Sequence, residues 1–192
     1  ILEGLELSKQ GEIMTGQELA RQAVQIWLDE QEIGSSIIDM QIAVTWKPEI
    51  FVKALIALDL ESEAELFAKK VLSSRPTDEV VAEILIDLYL NQGRIAAALE
   101  IAAIQASLHP EMAGHQRILA KLLVQTLRWP EAYRQWKKTL SLVHNPQIED
   151  WLGLAEASLE VGELSVTIEM CQKVLEKDET QGQANNILGR AL

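Results

Sequence analysis

In the stretch VVAEILIDLYLNQ, Val80, Ile84, Leu85 and Leu88 recur at the three- and four-residue spacing that gathers apolar groups on one flank of a helix. Gly93 breaks the pattern, IAAALEIAAIQASL resumes it, and Pro110 closes it, because a proline ring cannot continue a hydrogen-bonded helix. Residues 79–112 are thereby predicted as a helix, a tight turn and a second helix. The plan repeats in 113–147, where HQRILAKLLVQTL, a turn at Arg128 and Trp129, and PEAYRQWKKTLSLV follow one another, with Pro130 suited to a first helical turn. It repeats in 148–181 as EDWLGLAEASLEV, the breaker Gly162 and ELSVTIEMCQKVLEK, and in 45–78 as KPEIFVKALIALDL, a turn at Glu61 and Ser62, and EAELFAKKVLSSRP. GQANNILGRAL, at 182–192, has the pattern of one further first helix.

The blocks are in register at a stride of 34 residues: Ala64, Ala98 and Ala132 align, as do Pro76 with Pro110 and Phe51 with Leu85 and Leu119. With one extra residue near Pro146, the columns run on through Leu154, Thr167 and Leu188. Two helices per period of this length mark a repeat array, in which each unit covers the apolar flank of its neighbour.

These residues resemble the tetratricopeptide repeat family. The resemblance rests on Trp151, Leu154, Ala155, Gly162, Cys171 and Leu175 in one unit, and on Leu85, Tyr89, Gly93, Ala98 and Pro110 in another. It implies an all-α fold, a right-handed α-solenoid of antiparallel helix pairs, with small residues at Ala64, Ala98, Ala132, Ala120, Ala155 and Gly189 where helices approach closely. Val52, Ile86 and Thr167 depart from those small columns, and Asp59 and Leu127 stand where the family commonly has Gly. The array so read spans 45–192, in units 45–78, 79–112, 113–147 and 148–181 with a partial unit at 182–192. Residues 1–44 hold a degenerate N-terminal repeat, carried by Gly4, Leu7, Gly11, Gly16, Ala20 and Ala23, and most of an insert at 33–46 read as helical because a lone strand would have nothing to pair with. The last helix is expected to present an apolar side, so pairing of open ends between copies is a further expectation.

Composition narrows the function classes. The chain has 192 residues, 48% of them hydrophobic, enough for a substantial core. Its formal net charge of −12 opposes nucleic acid or an anionic membrane surface, and the pairs Lys69–Lys70 and Lys137–Lys138 are too short to track phosphates. No apolar run reaches the roughly 18 to 20 residues of a membrane span, and ILEGLELSKQ lacks the form of a signal peptide. The single Cys171 excludes an internal disulfide, which fits a reducing compartment and favours the cytoplasm.

No constellation for catalysis stands out, and no cofactor or metal is expected. His109 and His144 sit beside prolines at unit ends, His115 opens a helix, and no paired Cys or His-x3-His spacing occurs. Cys171 shares a column with Ala68, Ala102 and Trp136 and reads as a buried small hydrophobe. The nucleotide-binding and acyl-transfer signatures are absent, and Glu61, Glu63 and Glu65 suit the positive end of a helix.

The resemblance further implies a non-enzymatic scaffold that binds a peptide or protein on the concave face lined by first helices, or at open ends. The inward candidates are Trp46, Glu49 and Lys53 in one unit, Glu83 and Asp87 in the next, then Arg117 and Lys121, then Glu156. Ile56, Val80, Leu90, Val124, Glu149, Leu152 and Leu159 fall on the same rows. Arg117 and Lys121 admit two readings, a site for an acidic or phosphorylated segment or neutralisation by nearby carboxylates, and the second is favoured because surface ion pairs are the commoner arrangement. A docking segment of a larger enzyme and a self-assembling array are the alternative functions.

Overall fold

The structure, a computed structural model, describes residues 17, 18, 20–22 and 47–192. Trp46 and the insert lie outside the described residues. The helices that follow are α1 (Pro48–Ala57), α2 (Glu61–Ser74), α3 (Glu79–Asn91), α4 (Ile95–Leu108), α5 (Ala113–Gln125), α6 (Trp129–Leu142), α7 (Ile148–Glu160), α8 (Leu164–Lys177) and α9 (Gly182–Ala191). They divide into two compact units, Ile1–Gln92 and Gly93–Leu192.

The repeat is written in the backbone at its turns. Asp59, Gly93, Leu127 and Gly162 all take positive φ, at 57°, 70°, 58° and 82°. At three of these turns the hydrogen bonds close the same way. Leu60 N–H donates to Leu55 O at 2.9 Å, Arg128 to Leu123 at 2.9 Å and Glu163 to Ser158 at 2.8 Å, each across a left-handed residue whose own N–H reaches back three places. This six-to-one closure satisfies carbonyls that a helix end leaves open and reverses the chain in three residues. Glycine is free to take that conformation, so Gly93 and Gly162 fit without strain. Asp59 and Leu127 take it although they carry side chains, because the helices on either side fix where the chain must turn. The first turn is therefore at Leu58–Leu60, with Glu61 already the first helical residue, and not at Glu61 and Ser62 as the sequence pattern suggests.

In the first unit α1 packs on α2 and α3, and α2 packs on α3. Its core holds Val52, Leu55, Ala64, Phe67, Ala68, Leu85 and Tyr89, and the rings of Phe51 and Phe67 lie 4.4 Å apart. The hydroxyl of Tyr89 donates to Glu65 Oε1 at 3.0 Å, and Lys69 Nζ donates to the same oxygen at 2.6 Å. Helical residues ahead of α1 tie in through Gln17 Nε2, which donates to Leu58 O at 2.8 Å, and an Arg21–Glu63 ion pair at 2.9 Å.

In the second unit each helix packs on the next, from α4 to α9, and α7 also touches α5 and α9. The first helices α5, α7 and α9 therefore form one layer, with α4, α6 and α8 behind them. The small column does what close helix packing requires: Ala98, Ala132 and Thr167, each four residues into its helix, are fully buried. Thr167 keeps its hydroxyl satisfied by pairing with Ser158 at 2.8 Å and donating to Glu163 O at 3.2 Å. Gln116 is buried with its amide donating to Ala106 O and His109 O, while its carbonyl accepts from Gln135 at 2.6 Å. One glutamine side chain thus ties the end of α4 and the start of α5 to the middle of α6.

The last helix buries Ala184, Ile187 and Ala191 and leaves Gln183, Asn185, Asn186 and Arg190 exposed. Its outward side is mostly polar, against the expectation of an apolar flank, because the apolar positions of α9 are spent on α7 and α8.

Candidate functional site

A groove of about 260 Å³ opens on the first-helix layer of the second unit. From α5 come Lys121, Val124 and Gln125, from α7 Glu149, Leu152, Gly153 and Glu156, and from α9 Gln183. Trp136 of α6 reaches the groove from the layer behind. Connections of three to five residues set α5, α7 and α9 side by side, so residues three and four apart on each helix face the same opening.

Gly153 and Trp136 shape the floor. A Cβ on Gly153 would fall 2.3 Å from Cε2 and Cζ2 of the indole and 2.8 Å from its Nε1, far inside contact distance. Only glycine lets α7 lie this close to the ring. The indole is 2% exposed, and its N–H has no hydrogen-bond acceptor among the described residues. Gly153 stands in a column otherwise held by Ile50, Ile84, Ile118 and Ile187, and Trp136 in one otherwise held by Ala68, Ala102 and Cys171. A large residue has replaced a small one behind the layer, and a glycine has replaced an isoleucine in front of it.

Beside the groove an ion pair joins α5 to α7. Arg117 donates from Nε to Asp150 Oδ1 at 2.6 Å and from a terminal nitrogen to Oδ2 at 3.0 Å. Asp150 is fully buried, whereas the Arg117 side chain is 29% exposed. Asp150 also accepts from the backbone N–H of Gln147 at 3.0 Å, closing a capping box at the start of α7. Burial opposes ionisation of this carboxyl, but the hydrogen bonds from Arg117 and Gln147 and the attraction of Arg117 and Lys121 outweigh it and hold Asp150 below the usual carboxylate range. The same bond to Asp150 holds Arg117 above the ordinary guanidinium value.

Of the residues singled out from sequence, Lys121, Val124, Glu149, Leu152 and Glu156 line the groove, and Arg117 is engaged with Asp150 beside it. Glu49 and Lys53 on α1, and Glu83 and Asp87 on α3, belong to the first unit, where Lys53, Glu83 and Asp87 are exposed and Glu49 is half-buried. Sequence reasoning missed Asp150, Gly153 and Gln183, and it set Trp136 in the column of Ala68, Ala102 and Cys171 without linking it to the groove. The isoleucine column carried a signal for Gly153. Asp150 had one too, since Gln147 and Asp150 stand at capping-box spacing ahead of an apolar run.

Cys171 is fully buried on α8, and burial pushes its thiol up. His109 and His115 meet at the α4–α5 turn, with ring centroids 5.0 Å apart. No helix among the described residues is long and apolar enough to cross a membrane.

The fold defines a class. The chain is similar to a tetratricopeptide repeat protein from Parabacteroides merdae ATCC 43184, at 13% identity over 100% of this chain and 70% of that one, with a TM-score of 0.63. It is similar to YrrB, described as a tetratricopeptide repeat protein with an unusual peptide-binding site, at 14% identity over 82% of this chain and 92% of YrrB, with a TM-score of 0.61. It is also similar to MamA, at 18% identity over 73% of this chain and 76% of MamA, with a TM-score of 0.63. No protein-family model matches the chain, and no curated protein matches it significantly. The chain therefore has the tetratricopeptide repeat fold, an all-α solenoid of helix pairs.

Proposed function

We propose that this chain is a protein-interaction module that holds a short extended segment of a partner in the groove of its second unit. The observation that carries the reading is the groove itself: α5, α7 and α9 present Lys121, Leu152, Glu156 and Gln183 around one opening over Trp136. At about 260 Å³ it is smaller than the roughly 300 to 1,000 Å³ typical of small-molecule pockets, and it suits one or two side chains of a peptide. Apolar Val124 and Leu152 supply contact area, and the charged and amide groups around them supply orientation. YrrB, which shares the fold, is described as having a peptide-binding site.

Selection of a displayed random octapeptide library on the chain tests the reading. Enriched peptides are expected to bind the wild type and to lose affinity for Gln183→Trp, which fills the groove from an exposed position on α9. Peptides that bind this variant unchanged, with its helix content intact, place the binding surface elsewhere.

A further inference from the structure

The groove offers more than a shape, because its charges are not balanced. Arg117 of α5 is committed to Asp150 of α7 through two hydrogen bonds. Lys121 is also drawn to Asp150. The lining itself then holds one ammonium, Lys121, against two carboxylates, Glu149 and Glu156. Glu149 interacts with Arg117, whereas Glu156 has no ion pair among the described residues. Glu156 is half-buried, so water screens it less than it would a free surface carboxylate. Beside it lie Leu152 and Val124, an apolar strip next to an anionic end.

A lysine or arginine side chain has that same division, a stem of methylenes with a cation at its tip. An acidic or phosphorylated segment is poorly served, since among the described lining residues its one cation would be Lys121, already drawn to Asp150, and it would face both carboxylates. The wider field agrees: a chain of net charge −12 attracts a basic partner from a distance and repels an acidic one.

We infer that the occupant of this groove is a basic peptide segment, its lysine or arginine stem lying along Leu152 and Val124 and its cation meeting Glu156. The inference rests on the reading of the groove as a peptide site.

The test uses two fluorescein-labelled octapeptide pools, randomised over apolar residues at six positions and carrying at the other two either Lys and Arg or Asp and Glu. Anisotropy titrations are made with the wild type, Glu156→Lys, Glu156→Gln and Gln183→Trp, each checked for unchanged helix content by circular dichroism. The basic pool is expected to bind the wild type about ten-fold or more tighter than the acidic pool, a difference of about 1.4 kcal/mol. Glu156→Gln should weaken that preference and Glu156→Lys should abolish it, with Glu156→Gln retained as the milder variant if the reversal perturbs the fold. Equal or tighter binding of the acidic pool, still lost in Gln183→Trp, overturns the basic preference while leaving the groove as the site. Absence of binding by either pool, or binding unchanged in Gln183→Trp, overturns both.

Discussion

Gly153 of α7 and Trp136 of α6 form a single packing unit, with the glycine backbone against the indole where any Cβ would sit 2.3 Å from ring carbons. Gly153→Ala is therefore expected to destabilise the chain, although alanine is the better helix former by about 1 kcal/mol. Overpacking costs about 1 to 3 kcal/mol, and the indole, walled in on its other sides, has little room to move. Gly153→Ile should cost more, and Trp136→Ala should cost about 3 to 5 kcal/mol through the cavity it leaves. The double variant Trp136→Ala/Gly153→Ile restores the residue types of the neighbouring columns and should be more stable than the sum of the two changes by at least about 1 kcal/mol. Urea denaturation of the four proteins measures the coupling; strict additivity would show that the two residues do not share one site.

The left-handed turn at Leu127 gives the opposite sign. A non-glycine residue pays about 1 to 2 kcal/mol in that conformation, against about 0.5 to 1 kcal/mol of extra chain entropy lost by glycine. Leu127 is 67% exposed, so its side chain has little burial to lose. Leu127→Gly is expected to stabilise the chain by about 0.5 to 1 kcal/mol, read as a rise in Tm. Asp59→Gly should gain less, because aspartate tolerates the conformation better. A lower Tm for Leu127→Gly would show that the turn is not held left-handed.

Asp150 sets an acid limit on stability. Its folded pKa lies below its unfolded value, so its contribution is complete above the unfolded value, about 3.9, and is lost as pH falls through the folded one. Because Arg117 keeps part of its side chain in water, the loss on Asp150→Ala is expected at about 2 kcal/mol, below the 3 to 5 kcal/mol of a fully buried pair. Asp150→Asn should flatten the fall in stability as pH drops below about 4, measured by denaturant titration at each pH. An unchanged pH profile would remove Asp150 from the account.

Cys171 should react with a thiol reagent only as the second unit opens. It is fully buried, and burial disfavours the thiolate that would attack. Labelling by a disulfide reagent should therefore be slow in the native protein, complete in urea, and graded with destabilisation across the variants above. Rapid labelling of the stable wild type would contradict the packing of α8.

Much of this fold was legible because repetition multiplies weak signals. Ala64, Ala98 and Ala132 say little one at a time, but at a stride of 34 residues they mark where helices meet, and all three are fully buried. The glycines at 93 and 162 marked turns directly, whereas Leu127 marked its turn only by standing in their column. The groove was less legible. Lys121 and Glu156 fell on rows that open on the groove, but whether Arg117 faces a ligand or a carboxylate depends on a partner 33 residues away.

The helices, the period and the column of small residues follow from spacing along one chain and from the few residues that can turn it. Tertiary structure alone decided that Asp150 holds Arg117, that Gly153 exists for Trp136, and that the charge left over beside Leu152 is negative. Pairing across helices depends on which side chains arrive within a few ångströms of one another, and in a stack of hairpins that is set by how closely each layer can approach the next.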